Sequence, residues 1–442
     1  MTEAAFFSMP SKTYFAKLFF YDIIALNFFI KSYSAQEEQM IDINFIKQNP
    51  EEAKALFKKR GCRVDVDEFL KINNEFNSKK ALVDKLKFEQ KKSSIERAKE
   101  IKKEITNLKQ IVSELEEKRN KMWLLFPNIL AEGTPEGESD EDNVEIKRCG
   151  QIPIFNFNPK AHDELGKNLK ILDLERGAKV SGSGFYYLVG DGAELSHAVY
   201  EIARKILKED GFTFMIPPVL ASHRTFMGTG YFPFEPEGNY KVENQNLYAI
   251  GTSEQTLLAF HDNEIIDYSE LPLKYSAYTP CFRTEAGSYG KNSKGAFRVH
   301  QFHKMEQIIF CDPKDSEKYH EMCLNNIEKL LSVLEIPYHV VRVCVGDMGA
   351  PGYKKYYVES WFPSFNAYRE THSNTNLWDY QTRRLNIRTQ INGKKFFPHT
   401  ISSTMATDRV IFSLIENFQQ ADGSIVLPKV LADFMGKKVI KL

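Results

Sequence analysis

Between residues 67 and 122 the chain carries two runs of apolar residues at alternating three- and four-residue steps, a pattern few folds accept. The first run is Phe69, Ile72, Phe76, Val83 and Leu86, with Lys79 at the missing seam position. The second is Ala98, Ile101, Ile105, Leu108, Val112, Leu115 and Met122, with Arg119 at its gap. Three-four spacing is a heptad seam, one narrow apolar stripe along each helix. Between the runs lies KKSSIE (Lys91–Glu96), polar enough for a turn. Two helices of similar length joined by a short turn form an antiparallel coiled-coil hairpin. At 1.5 Å per residue, residues 67–92 reach about 39 Å.

The tip of this hairpin is basic. Lys85, Lys87, Lys91, Lys92, Arg97, Lys99, Lys102 and Lys103 face only Glu89, Glu96 and Glu100 within the same stretch, a net charge of +5. The whole chain balances 59 Lys and Arg against 59 Asp and Glu, so the basic character is local. A basic finger on a neutral protein suits a nucleic-acid phosphate backbone, where counterion release drives binding. A solvated structural arm or a dimerisation rod explains the charge equally well, and the pattern alone leaves both open.

Other features set the surroundings. Residues 13–31 are rich in Phe, Ile and Leu, but Lys17, Asp22 and Asn27 interrupt them. A charge at mid-bilayer costs about 3 kcal/mol, so no membrane span is expected. No small-residue cleavage site follows the stretch. Residues 1–39 therefore read as an upstream extension or a misassigned start ahead of Met40, with a targeting peptide as the alternative. An arm domain is expected over residues 40–130. The Gly/Pro-punctuated acidic segment 131–145 reads as a linker, and residues 146–442 as an α+β body on a largely antiparallel sheet. The six cysteines are scattered and form no Cys-x-x-Cys pair. They read as free thiols in a reducing cytoplasm, and no zinc site is expected.

The chemistry lies in CFRTEAGSYGKNSKGAFRVHQFHKMEQIIF (Cys281–Phe310). No Gly-x-x-x-x-Gly-Lys-Ser/Thr loop occurs to cradle a nucleotide. Instead, two expected strands flank a Gly/Ser/Lys loop, with Arg283 and Glu285 on one face of the first strand and Arg298 and Phe302 on one face of the second. Arginine suits phosphate and an aromatic ring suits a purine, although such an Arg/Glu pair is more often a plain salt bridge.

This segment resembles motif 2 of the class II aminoacyl-tRNA synthetases, in its seryl form. Gly211–Leu220 resembles motif 1, which in that family contributes to a homodimer interface. Gly251–Glu254 resembles the Thr-x-Glu loop, Ser360–Arg384 the stretch with the metal-binding glutamate, and Ser403–Leu431 motif 3. Similarity runs in family order from Met40 almost to the C-terminus. The resemblance implies an antiparallel-sheet catalytic domain preceded by the helical arm. It implies activation of L-serine by ATP and transfer to tRNA(Ser), leaving tRNA(Sec) open as a second acceptor. On the ATP side it places Arg283, Thr284, Glu285, Arg298, Phe302, Glu370, Thr371, His372, Ser373 and Arg409. Arg283 would hold the α-phosphate, Glu285 and Phe302 the adenine, Arg298 and Arg409 the outer phosphates, and Glu370 with Ser373 Mg2+. On the serine side it places Thr252, Ser253, Glu254, Glu306 and a hydroxyl from Ser403 or Thr404, with Ser403 favoured by its spacing from Arg409.

Two departures from the family pattern stand out. His372 replaces a serine in Arg369–Ser373, and no catalytic role is expected for it. The motif 3 run His399–Thr404 lacks the glycines of its bacterial counterparts and is one residue shorter. Synthetases for threonine or proline, a relative that loads carrier proteins, and a catalytically dead RNA-binding relative are the competing readings. Retention of the arm and of Arg283, Glu370 and Arg409 argues against the last two.

Overall fold

The computed structural model describes residues 43–285 and 295–442. The expected extension, Met40 and part of the Gly/Ser/Lys loop lie outside the described residues. The chain divides into two compact units, one comprising residues up to Ala55 with Asp65–Arg119, the other Leu56–Val64 with Asn120–Leu442.

In the first unit, short helices α1 (Ile43–Gln48) and α2 (Pro50–Lys59) precede the long pair α3 (Val66–Gln90) and α4 (Ile95–Leu124). Pro50 opens α2, where its missing N–H costs nothing. Asp65 caps α3, its Oδ1 accepting from the amides of Asp67 at 2.8 Å and Glu68 at 3.1 Å. Val83, Leu86, Ile101, Ile105 and Leu108 bury one seam, with Val112 against it. At the second gap in that seam, Arg119 lies 4.0 Å over the Phe76 ring, a cation–π contact that lets a charge sit in an apolar row. The turn is shorter than expected, because the helix resumes at Ile95.

The body is built on an eight-stranded sheet. Its strands are β1 (Val144–Cys149), β2 (Thr213–Met215), β3 (Leu273–Phe282), β4 (Gln301–Cys311), β5 (Tyr338–Arg342), β6 (Lys354–Phe362), β7 (Ala367–Trp378) and β8 (His399–Thr407). They lie in the order β1-β5-β6-β7-β8-β4-β3-β2. All neighbours are antiparallel except β2 with β3. β1 begins inside the segment read as a linker, and that segment docks on the body through Val345 N–H to Pro135 O and Gly346 N–H to Gly137 O, both 3.0 Å.

Alternation along the strands separates two faces. Met305, Ile309, Tyr356, Val358, Ile401 and Met405 pack under helices α5 (Asp191–Glu209), α7 (Ser316–Val333) and α8 (Asp408–Asn417) in the main core. The other face carries Ile308 and Phe310 against Leu257 and Leu258 of helix α6 (Glu254–Ala259) at one end. Elsewhere that face opens onto cavities. Leaving one sheet face partly uncovered costs burial, and binding sites are commonly built on such faces.

Candidate active site

Two β-bulges decide which side chains reach the open face. In β7, Val358 pairs with His372 but Glu359 pairs with Glu370, so Thr371 is an extra residue. In β8, Thr404 pairs with Glu306 but Ala406 pairs with Met305, so Met405 is extra. In a regular strand, residues three apart point to opposite faces. Each bulge cancels one step. Glu370 and Ser373 therefore share the open face, as do Thr404 and Thr407. These residues line a small cavity together with Arg283, Glu285, Arg298, Phe302, Lys304 and Arg409.

The ATP-side residues sort themselves within it. Contrary to expectation, Arg283 and Glu285 do not lie within the first strand: β3 ends at Phe282, and Arg298 precedes β4. Three residues past the end of the strand, Glu285 takes a left-handed φ of 50°, an uncommon conformation that functional sites often hold. Arg283 and Glu285 still line the cavity, and Glu285 Oε2 accepts from Arg298 Nη1 at 3.2 Å. The guanidinium of Arg283 lies 5.4 Å from the centre of the Phe302 ring. Arg409 donates to the Glu370 carbonyl at 2.9 Å and its carboxylate at 3.3 Å, and sits 4.3 Å over the Phe297 ring.

Two expected ATP-side residues, Thr284 and His372, point elsewhere, and a third, Thr371, borders the cavity with its hydroxyl turned away. Thr284 donates its hydroxyl to the Glu237 carbonyl at 2.6 Å. Thr371 turns its hydroxyl to Ser360 and to the Val358 carbonyl. His372 packs into the core on the helix-covered face, where burial pushes its pKa down to about 3.

A second, larger cavity adjoins the first and shares Arg283, Glu285, Lys304, Glu370 and Ser373 with it. Glu254 reaches it from the start of α6. Its Oε1 accepts from Gln381 Nε2 at 2.8 Å, and its Oε2 from Ser402 Oγ at 2.7 Å and the Tyr231 hydroxyl at 3.4 Å. Burial, and then the nearby charge of Glu306, raise the pKa of this carboxyl. Thr252 and Glu306 sit one layer deeper: Thr252 donates to Glu306 Oε1 at 2.6 Å. The other oxygen, Glu306 Oε2, is buried with no hydrogen-bond partner among the described residues. Ser253 is buried at the helix start and lines neither cavity.

The favoured hydroxyl, Ser403, is on the wrong face. It accepts from Gln307 Nε2 at 3.2 Å beneath α7, because it stands one step from Thr404 in a strand of period two. Thr404, 3.4 Å from the Ser373 hydroxyl, is on the open face.

Lys304 was missed from sequence. Its ammonium contacts Glu306, lies 3.2 Å from the Thr252 hydroxyl and borders both cavities. Strand alternation through Phe302, Lys304 and Glu306 carried the signal. Tyr231, Lys355 and Tyr357 also line the larger cavity without any sequence motif to mark them. Away from these cavities, Glu317, His320 and Glu321 come close enough to share a cation. Lys354 already stands there, 2.7 Å from Glu317 and 3.5 Å from Glu321.

Residues 40–130 match the seryl-tRNA synthetase N-terminal domain, and residues 240–418 match the class II core domain shared by synthetases for Gly, His, Pro, Ser and Thr. The serine–tRNA ligase of Dictyoglomus thermophilum is 40% identical over 423 residues, spanning 91% of this chain and 99% of its own. That of Corynebacterium glutamicum is 38% identical over 418 residues with the same shares. This chain belongs to the seryl-tRNA synthetase family. Its family fold is that of a Pyrococcus horikoshii seryl-tRNA synthetase solved with ATP, at TM-score 0.86 and 38% identity over 91% of this chain and 99% of that one. A cytoplasmic serine–tRNA ligase from Naegleria fowleri, solved with AMP, superposes at TM-score 0.83 with 31% identity over the same shares. A Giardia lamblia prolyl-tRNA synthetase shares the fold alone, at 17% identity and TM-score 0.54 over 62% of this chain and 57% of its own.

Proposed function

We propose that this chain, an ATP-dependent serine–tRNA ligase, binds ATP in the smaller cavity and L-serine in the larger, and joins them where the two meet. The observation that carries this reading is the shared border at Arg283, Glu285, Lys304, Glu370 and Ser373. Carboxylate and α-phosphate must approach within bonding reach, and two cationic side chains, Arg283 and Lys304, stand at that border. They neutralise the charge that builds on the α-phosphate as a serine carboxylate oxygen attacks and pyrophosphate departs. Phe302 supplies a flat apolar wall for adenine, and Arg409 and Arg298 hold the outer phosphates. Glu254 accepts from the serine ammonium, and Thr404, which lines the smaller cavity 3.4 Å from Ser373 on the shared border, exchanges a hydrogen bond with the serine hydroxyl across that border. In the second step a ribose hydroxyl of the tRNA end attacks the seryl carbonyl and AMP leaves, which needs chiefly proximity.

Glu370 and Ser373 are hard oxygen donors brought to one face by the β7 bulge, and they fit Mg2+, which takes one or two protein oxygens and fills its sphere with phosphate and water. Bound there, it would spread the triphosphate charge. The exposed basic residues of the arm tip face the acceptor tRNA(Ser). Lys87 pairs with Asp84 at 2.8 Å, and Arg97 pairs with Glu89 at 3.3 Å and Glu100 at 3.1 Å. Lys85, Lys91, Lys99, Lys102 and Lys103 make no ion pair among the described residues and therefore carry more of this role.

A homodimer is supported by exposed apolar side chains at the edge strand β2, where Ile216 is 90% exposed and Phe214, exposed as well, borders the same cavity as the exposed Tyr187. Exposed apolar side chains at a sheet edge suit a subunit interface. Six unpaired cysteines suit the cytoplasm, and no helix among the described residues is long and apolar enough to cross a membrane.

The test is ATP–pyrophosphate exchange against a panel of amino acids. Serine is expected to drive exchange far faster than threonine, alanine or glycine. A single methyl accounts for only about 1–3 kcal/mol. Equal rates with any of the three would sink the assignment.

A further inference from the structure

Immediately before Arg409, at the first position of α8, lies a buried carboxylate that the reaction scheme above does not use. Asp408 is only 2% exposed. Its Oδ2 accepts from the main-chain N–H of His303 at 2.7 Å and from the Tyr186 hydroxyl. The Tyr200 hydroxyl lies 2.9 Å from Oδ1 and 2.7 Å from the His303 carbonyl, so its single proton serves one or the other. The His303 ring approaches Oδ2 at 3.5 Å and stacks on Tyr278.

A buried carboxylate is costly unless several donors meet it, and here they come from three separate elements. Tyr186 precedes α5, Tyr200 lies on α5, and His303 lies on β4. The gripped peptide of His303 is flanked by Phe302 and Lys304, both of which line the smaller cavity. The cap position of α8 belongs to Thr407, whose side chain makes no cap bond, and the Asp408 carboxylate bonds to Tyr186, Tyr200 and His303, outside its own helix. These contacts tie the start of α8 to the strand that carries the opposite cavity wall.

We infer that Asp408 is a positioning residue for the nucleotide: by clamping the His303 peptide to the head of α8 it fixes the gap between Phe302 and Arg409, and so governs affinity for ATP and not for serine. The inference rests on the reading that Phe302 and Arg409 contact the nucleotide.

The test measures KM for ATP and for serine by pyrophosphate exchange in D408N, Y186F and R409A, with melting temperature and oligomeric state recorded for each. D408N keeps the shape but removes the charge, so the bonds from the His303 N–H and Tyr186 lose their charge assistance and an amide NH2 takes the place of one carboxylate oxygen. It is expected to raise KM for ATP about tenfold, the size of one lost charge-assisted hydrogen bond, while KM for serine stays within about twofold. Y186F removes one hydroxyl and should move KM for ATP the same way by a smaller factor, so the question stays answerable if D408N folds poorly. A purely structural role would lower the melting temperature and move both constants together, or neither; either pattern, with ATP use impaired in R409A, overturns the inference alone. Normal ATP use in R409A overturns the placement of Arg409 and the inference with it.

Discussion

Ser402, Ser403 and Thr404 are chemically similar, yet only their parity along β8 decides what each can touch. Ser402 donates to Glu254 and Thr404 stands on the open face, while Ser403 faces Gln307 in the helix-covered layer. Thr404→Val is therefore expected to raise KM for serine, by roughly five- to a hundredfold for one buried hydrogen bond. Ser403→Ala should leave that constant within about twofold. Steady-state kinetics on both variants checks the pair, and an effect of Ser403→Ala alone would reverse the assignment. Residue types at the site were legible in the sequence: Arg283, Glu285, Phe302, Glu370 and Arg409 all line the cavities. Orientation was not, because a bulge leaves no mark in composition, and neither Thr371 nor Met405 looks unusual in its neighbourhood. Lys304 was hidden for a simpler reason: a lysine beside a glutamate reads as a surface pair until burial is known.

The arm helices were legible almost to the residue, because a heptad seam depends on local spacing alone. Even its gap was informative, since Arg119 fills the break by lying over Phe76. The ends of β3 and β4 were harder, because periodicity marks neither the stop of pairing at Phe282 nor the left-handed Glu285 beyond it. At this scale the arm and the body make separable predictions. Replacing Lys91, Lys99, Lys102 and Lys103 with glutamine should weaken tRNA binding and reduce its salt dependence, by up to about four units of log–log slope for single-strand-like or duplex contacts. Pyrophosphate exchange should continue at the normal rate. A charging assay across salt concentrations decides it; unchanged tRNA affinity would make the arm tip structural. Changing Lys87 or Arg97 should have the smaller effect, since each already has an acidic partner.

Across the whole molecule, buried histidines link folding to pH. His399 is buried against Trp378 with neither ring nitrogen hydrogen-bonded among the described residues, and burial pushes its pKa down to about 3. His372 is pushed to about 3 and His320 to about 4 by the same cause. In the unfolded chain each takes up a proton near pH 6.5. Between that pH and the folded values the unfolded state binds more protons, so stability falls as pH drops through this window. His399→Phe removes one such proton and should flatten the dependence, a relative gain of about 2 kcal/mol between pH 7 and pH 5. Denaturant melts at both pH values test this; an unchanged slope would show that His399 titrates freely. The subunit face offers a second test at this scale. Ile216→Asp, placed on the most exposed apolar residue of the β2 face, should shift the protein toward monomers in light scattering, whereas an unchanged mass would remove that face from the interface.

The two bulges carry a consequence for how relatives of this chain are compared. Because side-chain direction in β7 and β8 depends on a count of residues, length there matters as much as identity. Loss of one codon at Thr371 or Met405 would regularise the ladder and send either the residues before it or those after it to the opposite face. Glu370 or Arg409 could be preserved letter for letter and still turn away from the substrate.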